Sequence, residues 1–188
     1  IPGGGDPLRL QGPPFHAGMG VTFLAANRNK RSLTLDMQTD EGRELAYQLC
    51  MRADVVLENF RPDVMPRLGL GYERLSAERP ELVYASISGM GADGPDHRLG
   101  AFDLTIQALG GYMSITGERD GTPVKLGTSA FDIVAGLNCH AAVLAGLLQR
   151  KQTGRGQKIE TSLLEGAVAF LANAAPGYQL TGNVPGKG

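Results

Sequence analysis

Cysteine is scarce in this chain of 188 residues, charge is nearly balanced, and histidine occurs only three times. Cys50 and Cys139 lie far apart in helical patterns, so no disulfide framework is implied and both read as small buried hydrophobes. His16, His97 and His140 share no ligand spacing with one another or with the cysteines, which excludes a recognisable metal centre. A net charge of −1 and a pI near 6.3 give no basis for binding nucleic acid or an anionic membrane. No signal-peptide pattern is visible, and the expected location is the cytoplasm. The chain opens on Ile1-Pro2-Gly3-Gly4-Gly5-Asp6 without a methionine and closes on Val184-Pro185-Gly186-Lys187-Gly188. Both ends read as cuts through a longer protein.

Glycine, by contrast, is abundant: 27 of 188 residues, near twice its usual share of about 7 %. The glycines are dispersed, as expected of tight turns and places where backbone approaches a ligand. No internal repeat and no dividing linker is visible, and the length suits one domain with a real core.

Hydrophobic patterning predicts an α/β fold with a Rossmann-like parallel sheet. Residues 1–20 read as an irregular arm, and Phe23 to Ala26 as a short strand or turn. Ser32 to Asp36 alternates like a strand. Thr39 is placed to cap a helix with the stripe Leu45, Ala46, Leu49 and Cys50. Val55-Val56-Leu57 and Leu82 to Ile87 are further strands, with short helical pieces at Val64–Leu68 and Tyr72–Glu78 between them. Asp103 to Leu109 predicts a helix, residues 112–130 turns and short extended pieces, Lys158 to Ser162 a strand, and Leu163 to Ala175 one apolar helix. Alternating strands and helices imply right-handed crossovers, with ligands bound beyond the carboxyl ends of the strands. Asp36, Glu58-Asn59-Phe60 and Ser88-Gly89 stand at those ends.

The organising segment is Ile133 to Leu148, nearly free of charge and apolar on all sides, which predicts a buried helix. Gly136, Asn138, His140 and Gly146 interrupt it too often for a membrane span. Asp132 stands at its head. An aspartate there is either an N-cap favoured by the helix dipole or, among the small neighbours Gly127, Ala130, Ala135 and Gly136, a nucleophile or base with room for a second molecule. The knot Arg28, Lys30, Arg31 is either a solvated surface or a phosphate site. Gly89, Gly91 and Gly94 have dinucleotide-fingerprint spacing, but Pro95 and polar residues follow where a helix is required, so the segment reads as a loop.

Taken together, Asn27-Arg28-Asn29-Lys30-Arg31-Ser32, Glu58-Asn59-Phe60-Arg61-Pro62, Leu68-Gly69-Leu70-Gly71-Tyr72, Ser86-Ile87-Ser88-Gly89-Met90-Gly91, Asp132 with Gly136, and Thr153-Gly154-Arg155-Gly156-Gln157 resemble the family III CoA-transferases (the CaiB/BaiF group, which includes formyl-CoA transferase). The match runs in order from Gly5-Asp6 to about Glu165. The resemblance implies an enzyme that moves coenzyme A between carboxylic acids, with Asp132 as the nucleophile and backbone amides near the helix start steadying the oxyanions. It implies CoA contacts at Asn59, Phe60 and Arg67, with Leu35 and Met37 near the adenine. Arg28 and Lys30 then fall close to the nucleotide. CoA and acyl-CoA are substrates, with no permanently bound cofactor. The implied partners are an acyl-CoA donor, a carboxylic acid acceptor and a second copy of the chain, interlocked.

The same resemblance implies that residues 1–188 are part of a large CoA-binding domain. An opening strand and helix, a later glycine-rich loop and a small domain are missing from it. The related alpha-methylacyl-CoA racemases carry a histidine immediately before the aspartate matching Asp103. Phe102 stands there, a side chain that cannot exchange a proton. A non-catalytic CoA-binding fragment is the third reading.

Overall fold

The computed structural model describes residues 3–188, in two compact units that divide after Leu49. Residues 1 and 2 of the expected arm lie outside the described residues.

In the first unit the arm is more ordered than its composition suggests. A 3-10 turn at Pro7–Leu10, capped by the Asp6 side chain, precedes a two-residue antiparallel hairpin of β1 (Phe15–His16) and β2 (Met19–Gly20). Val21–Ala26 is a helix, α1, rather than a strand or turn. Arg9 lies 4.1 Å from the centre of the Phe23 ring, a cation–π contact that ties the turn to α1. Ser32 to Asp36 is not a strand. Its alternation supplies side-chain pattern, but a strand also needs a neighbour for its backbone groups, and no ladder reaches it among the described residues. Thr39 caps α2 (Asp40–Arg52) as expected: its Oγ1 accepts from the Gly42 amide at 3.0 Å. The stripe is displaced, however. Gly42 and Ala46 are buried, whereas Leu45 and Leu49 are about half exposed.

The second unit is built on a three-stranded parallel sheet, β3 (Val55–Glu58), β4 (Val83–Ser88) and β5 (Lys158–Ser162), in that spatial order. Glu58 pairs with Ser86, and Ser88 with Ser162, so all three carboxyl ends fall together. Between β3 and β4 run α3 (Val64–Arg67) and α4 (Tyr72–Glu78). Between β4 and β5 run α5 (Asp103–Leu109), α6 (Tyr112–Ile115) and the 24-residue α7 (Ala130–Thr153). The α6 turn falls where only turns and extended pieces are expected from sequence. The apolar stretch after β5 is two helices, α8 (Leu163–Phe170) and α9 (Ala174–Thr181), rather than one.

α7 is not buried all round. Phe131, Ala135, Cys139 and Gly146 face inward, the last three against β4, β5 and α8, while Ile133, Leu137, Leu144 and Leu148 remain 53–63 % exposed. Apolar composition favours burial on every side, but burial requires a covering element, and the elements of this unit cover one face. Among the described residues α7 alone is long and apolar enough to cross a membrane, yet one face is committed to the protein core. It ends where Gly154 adopts φ +72°, a left-handed C-cap.

Candidate active site

The head of α7 rests on an aromatic cluster. Phe131 is fully buried, its ring 4.5 Å from that of Tyr112 and 6.3 Å from that of Phe170. Tyr112 Oη donates to the Ala167 carbonyl at 2.5 Å, which joins α6 to α8 beneath it. With Phe131 anchored inward, Asp132 is turned outward at the third position of the first turn.

Asp132 is not the cap. That role belongs to Asp103 at the start of α5, which is only 8 % exposed. Its Oδ1 accepts from the Phe131 amide at 2.7 Å and, more weakly, from the Asp132 amide at 3.4 Å. Its Oδ2 accepts from the Gln107 side-chain amide one turn later. Gln107 is itself 1 % exposed, accepts from the Leu126 amide at 2.7 Å and donates to the Thr128 carbonyl at 3.3 Å. Two buried side chains of α5 thus pin the loop leading into α7. The sequence reading places neither in the site. The available signal is their i, i+4 spacing, which puts both on one helix face.

Because Asp103 takes the first amides, the Asp132 carboxylate has no hydrogen-bond or ion-pair partner among the described residues. It lines an open cleft of ≈ 510 Å³ with Asn59, Phe60, Ser88, Gly89 and Phe102. Partial withdrawal from water, and then the neighbouring Asp103 carboxylate, raise the Asp132 carboxyl above its ordinary value. The Phe131 amide at the helix start is engaged by Asp103, and the Asp132 amide only weakly so.

The cleft lies beyond the carboxyl ends of the parallel strands, as the topology predicts. Asn59 and Phe60 follow β3, Ser88 and Gly89 end β4, and Leu163 follows β5. Asn59 Nδ2 donates to the Ile87 carbonyl at 2.6 Å, and the Phe60 amide to Glu58 Oε2 at 2.8 Å. Glu58 also accepts from the Ser86 hydroxyl. The Asn59-Phe60 turn is therefore fastened to β4 rather than loose. Gly89 makes a close approach possible, since a Cβ there would stand 2.7 Å from the Ala101 methyl.

The remaining expected contacts are distributed elsewhere. Arg67 sits exposed at the end of α3, its Nε donating to the Asp63 carbonyl at 3.1 Å, and does not line this cleft. Leu35 and Met37 are half-buried in the irregular stretch of the first unit. There Lys30 lines a separate cleft of ≈ 610 Å³ with Arg9, Arg31, Ser32 and Thr34, whereas Arg28 is exposed and outside it.

The CoA-transferase family III pattern matches residues 1–188. The chain belongs to that family. It is 41 % identical over 190 residues to a succinate–glutarate CoA-transferase of Agrobacterium fabrum, covering 98 % of this chain and 48 % of the relative. It is 38 % identical to an acetyl-CoA:oxalate CoA-transferase of Acetobacter aceti, covering 99 % and 48 %. A crystal structure of a CaiB/BaiF family protein from Brucella suis superposes with a TM-score of 0.90 at 42 % identity, over 96 % of this chain and 49 % of that one. The family III chain described here thus spans about half the length of the curated relatives it matches.

Proposed function

We propose that the protein to which this chain belongs is an acyl-CoA transferase in which Asp132 carries the transfer covalently. The carrying observation is a carboxylate without a partner among the described residues, in a cleft at the sheet's carboxyl edge beside Asn59 and Phe60. A carboxylate of raised proton affinity is a stronger nucleophile while still ionised near neutral pH.

Asp132 attacks the thioester carbonyl, the C–S bond breaks, and the products are an aspartyl–acyl mixed anhydride and CoA thiolate. The thiolate attacks the aspartyl carbonyl, giving an aspartyl-CoA thioester and releasing the first acid as its carboxylate. The second acid's carboxylate attacks that thioester, forming a new mixed anhydride and freeing the thiolate again. The thiolate then takes the second acyl group and restores Asp132. No proton has to be moved and no redox partner is needed. Coenzyme A enters and leaves as substrate, and no resident cofactor takes part.

Phe102 lines the same cleft and is 84 % exposed. A phenyl group cannot serve as the acid–base partner of a racemase, which favours transfer over proton exchange at the α carbon. The named relatives act on succinate, glutarate and oxalate, so dicarboxylic acids head the substrates to test. The uncovered face of α7 supports a second copy packing there, in the interlocked manner of the resemblance, and the cytoplasm is the location we propose. Leu35, Met37, Arg67, Arg28 and Lys30 are proposed for the nucleotide half of CoA.

The test uses the whole protein with succinyl-CoA and acetyl-CoA donors and a panel of acids. Hydroxylamine or borohydride trapping followed by mass analysis should locate the adduct on Asp132. Asp132→Asn should abolish exchange while leaving the thermal midpoint within a few degrees. An adduct on another residue, or turnover by the variant, overturns the mechanism.

A further inference from the structure

Ser129-Ala130-Phe131-Asp132 has the spacing of a capping box, in which the N-cap hydroxyl bonds the third amide and the acid at that position reaches back to the N-cap amide. In the structure the box is open. Ser129 is the N-cap residue, yet its side chain makes no capping bond. The Asp132 amide turns instead to Asp103 Oδ1, and the Asp132 carboxylate bonds nothing among the described residues. A local, inexpensive arrangement has been displaced by a buried carboxylate from another helix.

We propose that Asp103 is the positioning residue of this site. It takes the amide hydrogens at the head of α7, keeps the capping box from closing, and so leaves the Asp132 carboxylate directed into the cleft with a negative charge held beside it. Gln107 makes the arrangement rigid, because it grips the other Asp103 oxygen while holding Leu126 and Thr128 on the incoming loop. The inference rests on the reading of Asp132 as nucleophile.

Removing the acceptor lets Asp132 satisfy the helix start itself, and the nucleophile turns away from the thioester. Misplacement of a reacting group by about 1 Å costs on the order of 100-fold in rate. The whole protein carrying Asp103→Ala is therefore expected to lose kcat on the order of 100-fold, with KM for acyl-CoA nearly unchanged because Asn59 and Phe60 are untouched. Asp103→Asn retains an oxygen for the Phe131 amide, while its NH2 meets the Gln107 donor, and it should recover part of that loss. It lacks the charge that raises the Asp132 carboxyl, so the acid limb of its kcat–pH profile should move to lower pH. Arg61 and His97, the other charged or titratable groups lining the cleft, are identical in all three proteins and do not contribute to that difference.

Wild-type kcat in Asp103→Ala, a loss confined to KM, or an Asn variant no better than the Ala variant would each overturn the proposal. If Asp103→Ala does not fold, an unmoved acid limb in Asp103→Asn does so on its own. Trapping in the wild-type protein separates the two readings. An adduct away from Asp132 removes the nucleophile itself, whereas an adduct on Asp132 with an indifferent Asp103 removes only the positioning role.

Discussion

Replacing Gly156 by alanine tests which glycine of the Thr153-Gly154-Arg155-Gly156 turn the sheet depends on. A Cβ at residue 156 would stand 2.0 Å from the Leu82 carbonyl oxygen, 2.3 Å from its carbon and 2.6 Å from the Glu81 oxygen. All three are backbone atoms at the entrance to β4, so no side chain can swing aside. Restoring an ordinary contact means separating the two segments by more than about 1 Å, which overpacked interiors accommodate at about 1–3 kcal/mol. That separation stretches two hydrogen bonds of 2.9 Å, Gly156 N to Pro80 O and Tyr84 N to Gln157 O, each contributing about 1 kcal/mol net. Alanine's lower unfolded-state entropy returns about 0.4–1 kcal/mol. The expected net loss is about 3 kcal/mol, a large part of a typical stability of about 5–15 kcal/mol. The control is Gly154→Ala, where φ is +72° but nothing lies within 4 Å, and the cost is the left-handed backbone alone, about 1–2 kcal/mol. Urea unfolding of both variants in the whole protein, with unchanged m-values, measures the difference. If Gly156→Ala were no more damaging than Gly154→Ala, the close approach of the strand entrances would not be holding β4 against β5.

Phe131→Ala empties the centre of the cluster beneath Asp132. A fully buried aromatic predicts a loss of about 3–5 kcal/mol, read as a lowered urea midpoint, and a loss below 1 kcal/mol would mean the Tyr112–Phe131–Phe170 packing is not as described. The raised Asp132 carboxyl gives a stability signature of definite sign. The folded state holds the proton more tightly than the unfolded state, so folding is favoured relatively at low pH and loses stability as pH climbs from the carboxylate's ordinary value of 3.8 through the raised one. Asp132→Asn lacks this loss. The variant's stability relative to wild type should therefore rise across that window and level off near neutrality, and unfolding midpoints that stay parallel from pH 3 to 7 would contradict the raised value.

The chain's local chemistry was enough to identify most of the α/β elements. Glycines at turns, short apolar runs and Thr39 before its helix mark β3, β4, β5 and α2 because those signals act within a few residues. They also place Asn59, Phe60 and Ser88-Gly89 at strand ends. Pattern alone failed where an element depends on its neighbour. Ser32 to Asp36 alternates without a strand to pair with among the described residues, and α7 is apolar all round but covered on one side. Asp132 marks the boundary most clearly. From the residues alone either role, cap or reagent, suits an acid at the head of a helix. Only the tertiary structure removes the cap role, by bringing Asp103 from 29 residues away onto the amides that a local cap would have used. A hydrogen-bond donor can be satisfied by one acceptor or another, and which one arrives is a property of the fold, not of the neighbouring residues.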